Sequence, residues 1–151
     1  MKRSLLLLSL CLITIPLHAE VRAALRAGQF VGGNIAGSIE LDARYGNWSF
    51  VPAYESIRGG YGLHAYHVDI RRLFQNERST FWIGAGPTFV RSNAPSSSTT
   101  WNADAGFQLR LKSRFEPFVA VRYYSFRMPI FRDVLKSKGP VVSVGVSVRI
   151  R

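Results

Sequence analysis

Cysteine is almost missing from this chain: Cys11 is the only one in 151 residues. Once an N-terminal leader containing it is removed, neither a disulfide nor a thiolate metal site can form. Long apolar runs are missing too. The longest lies before residue 16 and falls short of the ~20 residues that a transmembrane helix needs, so any span of a membrane has to be made by strands. Acids are few, 9 against 20 basic residues, which leaves a formal net charge of +11. Such an excess calls for an acidic partner. Lysine is also scarce, since 16 of the 20 basic residues are arginine. A soluble surface mixes Lys and Glu freely, whereas arginine suits paired or phosphate-facing positions because its fork bonds carboxylate and phosphate bidentately.

The N-terminus reads as an export signal. Lys2 and Arg3 supply the positive start, Ser4 to Ile15 the apolar stretch, and Pro16-Leu17-His18-Ala19 a cleavage site. Residues 1–19 are thus expected to be a signal peptide and residues 20–151 a single domain.

What fills that domain is alternation. From Trp101 to Lys112 every odd residue is apolar and every even one is polar, charged or glycine. Val142, Val144, Val146, Val148 and Ile150 form one face of the last segment, with Ser143, Gly145, Ser147 and Arg149 on the other. Period two argues for strands with two unlike faces. Eight are expected, at 21–31, 35–45, 48–57, 63–73, 80–90, 99–111, 115–126 and 140–150. At roughly 10 residues each they suit a tilted crossing of hydrocarbon. With the N-terminus on the periplasmic side, the longest connections, "RSNAPSSS" (91–98) and "RMPIFRDVLKSKG" (127–139), fall on the outer side, as in bacterial outer-membrane barrels.

Alternation alone leaves open which face is inside. A soluble barrel that binds an apolar ligand would turn its apolar face inward; a membrane barrel inverts this. The polar face carries charges of both signs: Arg22, Arg26, Glu40, Asp42, Arg44, Glu55, Asp69, Arg71, Asp104, Arg110, Glu116 and Arg122. That fits the filled interior of an eight-stranded barrel, which has room only for its own side chains. Tyr45, Trp48, Trp101, Phe115 and Tyr123 lie near strand ends on the apolar face, as an interfacial girdle would. The expected fold is therefore all-β: an eight-stranded antiparallel up-and-down transmembrane β-barrel in the bacterial outer membrane. Many such barrels end in an aromatic residue read by the barrel-assembly machinery, the expected protein partner, whereas this chain ends Val148-Arg149-Ile150-Arg151.

Motifs for other chemistry are weak. His64 and His67 are three apart on a strand, so they face opposite sides and cannot share a metal ion. His67 has the parity of Asp69, and a buried His–Asp contact is expected. The glycines between Gly28 and Gly37 match no phosphate loop, and Gly84 and Gly86 sit inside a strand, where glycine eases curvature and packing. No metal or other cofactor is implied. The basic residues are spread over many strands rather than gathered on one helix, which argues against nucleic acid. Arg127, Arg132, Lys136 and Lys138, with Asp133 as the one acid among them, form a basic outer loop suited to lipid phosphate.

Residues 115–125 carry a more specific pattern. Phe115-x-Pro117-Phe118-Val119-x-x-Arg122, followed by Tyr123-Tyr124-Ser125, resembles the penultimate strand of the outer-membrane lipid A deacylases of the PagL type. The resemblance implies an eight-stranded barrel with an active site on its outer wall. In that family a His-x-Ser-Asn motif supplies base and nucleophile, and a later glutamate orients the histidine. Here Ser125 takes the nucleophile position, Tyr123 stands where the histidine would be, and Phe126 replaces the asparagine. No glutamate follows. A serine needs a neighbouring base, and tyrosine is a poor one at neutral pH. Two expectations follow: a non-catalytic barrel that contacts lipopolysaccharide through its basic outer loops, or an esterase acting on outer-leaflet lipid through Ser125 with Tyr123 beside it.

Overall fold

The computed structural model describes residues 19–31, 33–58, 62–92, 97–125 and 140–150. They form eight strands: β1 (Glu20–Phe30), β2 (Ile35–Tyr45), β3 (Trp48–Arg58), β4 (Leu63–Gln75), β5 (Ser79–Ser92), β6 (Ser97–Leu109), β7 (Phe115–Ser125) and β8 (Val141–Arg149). Each pairs antiparallel with the next, and β8 returns to β1 to close the barrel. The turn between β2 and β3 shows how local sequence sets register. Gly46 has φ +57°, the left-handed conformation that a two-residue hairpin turn demands, and Tyr45 and Trp48 face each other across it.

The period-two pattern sorts cleanly into an inside and an outside. Arg22 and Asp69 are fully buried, whereas Leu25 is 65 % exposed and Val144 61 %. Charge is in the lumen and the apolar side chains cover the wall, the reverse of a water-soluble barrel. A wall of this kind removes every strand edge and faces hydrocarbon, the condition that a membrane imposes on strands. The five girdle aromatics expected on this face, Tyr45, Trp48, Trp101, Phe115 and Tyr123, are all outward.

Three details differ from the sequence reading. Strands β5 and β6 extend further toward the outer end, so that Arg91 and Ser97 belong to strands rather than to the loop between them. Strand β6 stops at Leu109, which leaves Arg110 outside the lumen, its guanidinium donating to the Asn76 carbonyl oxygen at 3.0 Å. His67 is buried as expected, but it bonds Thr88 (2.9 Å) and approaches Glu55 (3.7 Å), while Asp69 is taken by Arg122 and Asn102. Residues 1–18 of the expected signal peptide (1–19) and the basic residues at 127–138 lie outside the described residues.

The lumen is layered. At the outer end Phe30, Ile57, Leu63, Val90, Tyr124 and Val141 pack into an apolar plug. A second apolar layer nearer the N-terminal end includes Leu73, Trp82 and Phe118, the last two in an edge-to-face contact at 5.7 Å. Gly106 and Gly145 make room for these rings, since a Cβ at either would overlap Trp82 or Phe118 respectively. Ion pairs occupy the space around and between these layers.

Candidate functional site: the ionic lumen and the outer rim of the wall

The centre of the lumen is built from arginines on three strands. Arg122 of β7 meets Asp69 (2.8 Å), Glu40 (3.3 Å) and Glu55 (3.3 Å), with Asp104 at 3.7 Å. Arg26 of β1 bonds Glu40 (2.9 Å) and Asp104 (2.8 Å), and Arg71 of β4 bonds the same two carboxylates at 2.9 and 2.8 Å. Trp82 donates its indole N–H to Asp104 at 2.8 Å. Nearer the N-terminal end Arg22 pairs with Glu116 and Glu20, and Arg44 with Asp42 (2.7 Å). Every one of these carboxylates is matched by an arginine, the arrangement that buried charge requires. The described side chains of the cluster bond one another across the lumen, which makes it a structural core.

The strand that resembles the deacylases divides between the two faces. Tyr124 points inward, donating its hydroxyl to Glu55 at 2.7 Å and lying 3.3 Å from His67 Nε2. Tyr123 and Ser125 point outward, and Tyr123 is 53 % exposed. In the sheet Ser125 lies opposite Trp101, which lies opposite Pro87. Among the described residues, no histidine or carboxylate shares that outward row or stands beside Ser125 as a general base. Thr100 donates its hydroxyl to the Ser125 carbonyl oxygen, which anchors the backbone there. The four basic residues expected to bind lipid phosphate, Arg127, Arg132, Lys136 and Lys138, fall outside the described residues.

The structure instead assembles outward polar groups on β3 to β6. Ser56, His64, Arg91 and Ser97 are successive cross-strand partners, one row nearer the outer end than Tyr54, Tyr66, Phe89 and Thr99. Tyr54 and His64 are joined, hydroxyl to Nδ1, at 2.7 Å, and their rings lie nearly parallel at 5.9 Å. Parity alone placed His64 on the outer face; its neighbours depend on the register of three hairpins, which the sequence does not spell out. At the opposite end Arg72 lies over the Trp48 ring at 5.0 Å, beside a cleft of about 540 Å³ that includes Phe74 and Phe81.

An apolar wall around an ion-paired, side-chain-filled lumen defines a small transmembrane β-barrel, the architecture of bacterial outer-membrane proteins. Solved structures agree at the level of fold. A de novo designed transmembrane β-barrel matches with a TM-score of 0.66 at 10 % identity, over 87 % of this chain and 95 % of its own. The N-terminal barrel domain of Pseudomonas aeruginosa OprF matches at 0.63 and 14 % identity, over 87 % and 97 %. The outer-membrane enzyme PagL matches at 0.57 and 13 % identity, over 85 % and 99 %. No protein-family model matches the sequence, and neither does any curated protein.

Proposed function

We propose that this chain is a bacterial outer-membrane protein, exported by residues 1–19, whose basic outer loops contact lipopolysaccharide and which performs no catalysis. One observation carries this reading: the sorting of charge. Of the eight described carboxylates, Glu40, Asp42, Glu55, Asp69, Asp104 and Glu116 are buried in the lumen. Glu20 sits at its N-terminal mouth, paired with Arg22 and Arg149, and Glu77 lies in the β4–β5 turn at the same end. The outer end therefore presents Arg58 and Arg91 with no described acid beside them, and the loop beyond β7 adds Arg127, Arg132, Lys136 and Lys138 against Asp133. A surface of one sign at the level of lipid phosphates attracts them. Replacing those four loop residues by glutamine should weaken lipopolysaccharide binding by the folded protein, with the difference shrinking as salt rises. Equal binding by both proteins at low salt would sink the loop contact.

A second reading rests on the Ser125 hydroxyl, which faces outward at the outer end of β7 where a lipid ester would lie. Mass spectra of lipid A from cells making the intact protein, set beside Ser125→Ala, separate the two. Identical spectra are expected. Loss of an acyl chain only with Ser125 present would establish an esterase and overturn the non-catalytic reading.

A further inference from the structure

We infer that the wall itself carries a binding site for the phosphate group of an outer-leaflet lipid, on the flank formed by β3 to β6 and centred on His64 and Arg91. The inference rests on the outer-membrane reading above, but not on contact through the loop. A lipid-facing arginine is costly at the middle of a bilayer and nearly free at its interface, and aromatic rings gather at that same interface. Register puts both markers side by side: the row Ser56–His64–Arg91–Ser97 lies directly beyond the row Tyr54–Tyr66–Phe89. The polar row is thus at headgroup height.

Its groups have the chemistry of an anion site. Arg91 is exposed and forms no ion pair among the described residues, so its guanidinium fork is available for a phosphate. The imidazole of His64 is held by Tyr54 through Nδ1, and that ring is packed on Tyr54, which itself packs on Tyr66 at 5.4 Å. Nε2 is left as the one further polar atom. Ser56 and Ser97 add hydroxyls at the two ends of the row, and Arg58 lies two residues beyond Ser56 on the same face. Beside Arg91 the wall is indented by a cleft of about 300 Å³ whose lining includes Tyr66, Phe89, Ser97 and Thr99. That is the lower end of the volume range of small-ligand sites, and its aromatic side suits the start of an acyl chain. Among the described residues the opposite flank has no cation at this height: its outer strand ends carry the exposed apolar Val31, Ile35 and Val142, with Gln29 between the last two. Among the described residues the site is one-sided, which suits one lipid position rather than a general affinity for membrane.

The test uses the folded full-length mature chain in micelles, with retained lipid counted by native mass spectrometry. Phosphatidic acid is the probe, phosphatidylcholine the control and inorganic phosphate the competitor. His64→Gln/Arg91→Gln should lose about tenfold in phosphatidic acid retention, the effect of removing charge-assisted hydrogen bonds. Arg72→Gln, at the opposite end of the wall, should keep its retention, and the four-glutamine loop variant is run beside it. Heat-modifiable electrophoretic mobility shows that each variant is still a closed barrel, and Arg91→Gln alone serves if the pair fails to fold. Unchanged retention in the wall variants would overturn the site. Loss confined to the loop variant would also overturn it, while leaving the loop reading intact. Displacement of the lipid by millimolar inorganic phosphate would reduce it to a site for the free ion and overturn the lipid assignment. Failure of the wild-type chain to prefer phosphatidic acid would overturn the wall site whatever the loop does.

Discussion

At the scale of single residues, Arg122 is the side chain on which most others depend. It touches carboxylates from β2, β3, β4 and β6. Replacing it by methionine removes one charge and leaves several acids facing each other out of water. Breaking a buried pair by removing one partner costs about 3–5 kcal/mol, so Arg122→Met should lower the urea midpoint of the barrel in lipid vesicles by a corresponding amount. Arg122→Lys, which keeps the charge but not the fork, should fall between. Salt should change little in either case, because the cluster is shielded from solution ions. Gly106 is a second such position. A side chain there collides with the indole of Trp82, and Gly106→Val should destabilise by about 1–3 kcal/mol through overpacking. In combination with Trp82→Ala the total should be less than the sum of the two single effects, the signature of a shared space.

At the scale of strands, neighbouring residues have opposite requirements. Leu25 lies mid-strand between Ile39 and Val146 and is exposed, while Arg26 beside it is buried in the ionic cluster. Leu25→Arg should cost about 2–4 kcal/mol in a bilayer, the penalty for a cation on the lipid face near the midplane. Were that face wetted by water, the substitution would be nearly neutral, so the same unfolding measurement also tests what the wall faces. Strand positions were legible to within two residues at each described end, because a strand with unlike faces repeats every second letter. What alternation could not reach were contacts across the lumen. Adjacency along the sheet separates β4 from β7, yet His67 and Tyr124 meet ring to ring at 5.5 Å, since an eight-stranded barrel is narrow enough for opposite walls to touch. The outer row of Ser56, His64, Arg91 and Ser97 was hidden for a related reason. Its four members are scattered over residues 56–97 and meet only through three successive registers. Ser125 stands out through a local pattern alone, since the described members of its row, Trp101 and Pro87, offer nothing to activate it.

For the whole molecule, charge sorting separates the neutralised interior from a basic exterior. The lumen is filled from its apolar outer plug to the Arg22–Glu116 pair at the other end. Planar bilayers containing the folded protein should therefore show no stepwise conductance. Opening steps of uniform size would mean that the plug of Phe30, Ile57 and Val141 does not hold. The protein should also require detergent for release from an outer-membrane fraction, and recovery in a plain salt wash would contradict the membrane reading.

The reach of Arg122 also bears on how such a barrel is made. Its partners come from four other strands, and two of them, Glu40 and Asp104, are themselves held by Arg26 and Arg71 of β1 and β4. The β1–β2 hairpin matches its own acids, with Arg22 on Glu20, Arg26 on Glu40 and Arg44 on Asp42, but the later hairpins do not: Asp104 of β6 finds its arginines only on β1, β4 and β7. A chain that entered the bilayer two strands at a time would carry unmatched carboxylates into hydrocarbon from the second hairpin until the last. The low-barrier route is one in which the strands curl together at the membrane surface and cross as a nearly finished cylinder, with the ionic cluster closing before the wall loses contact with water.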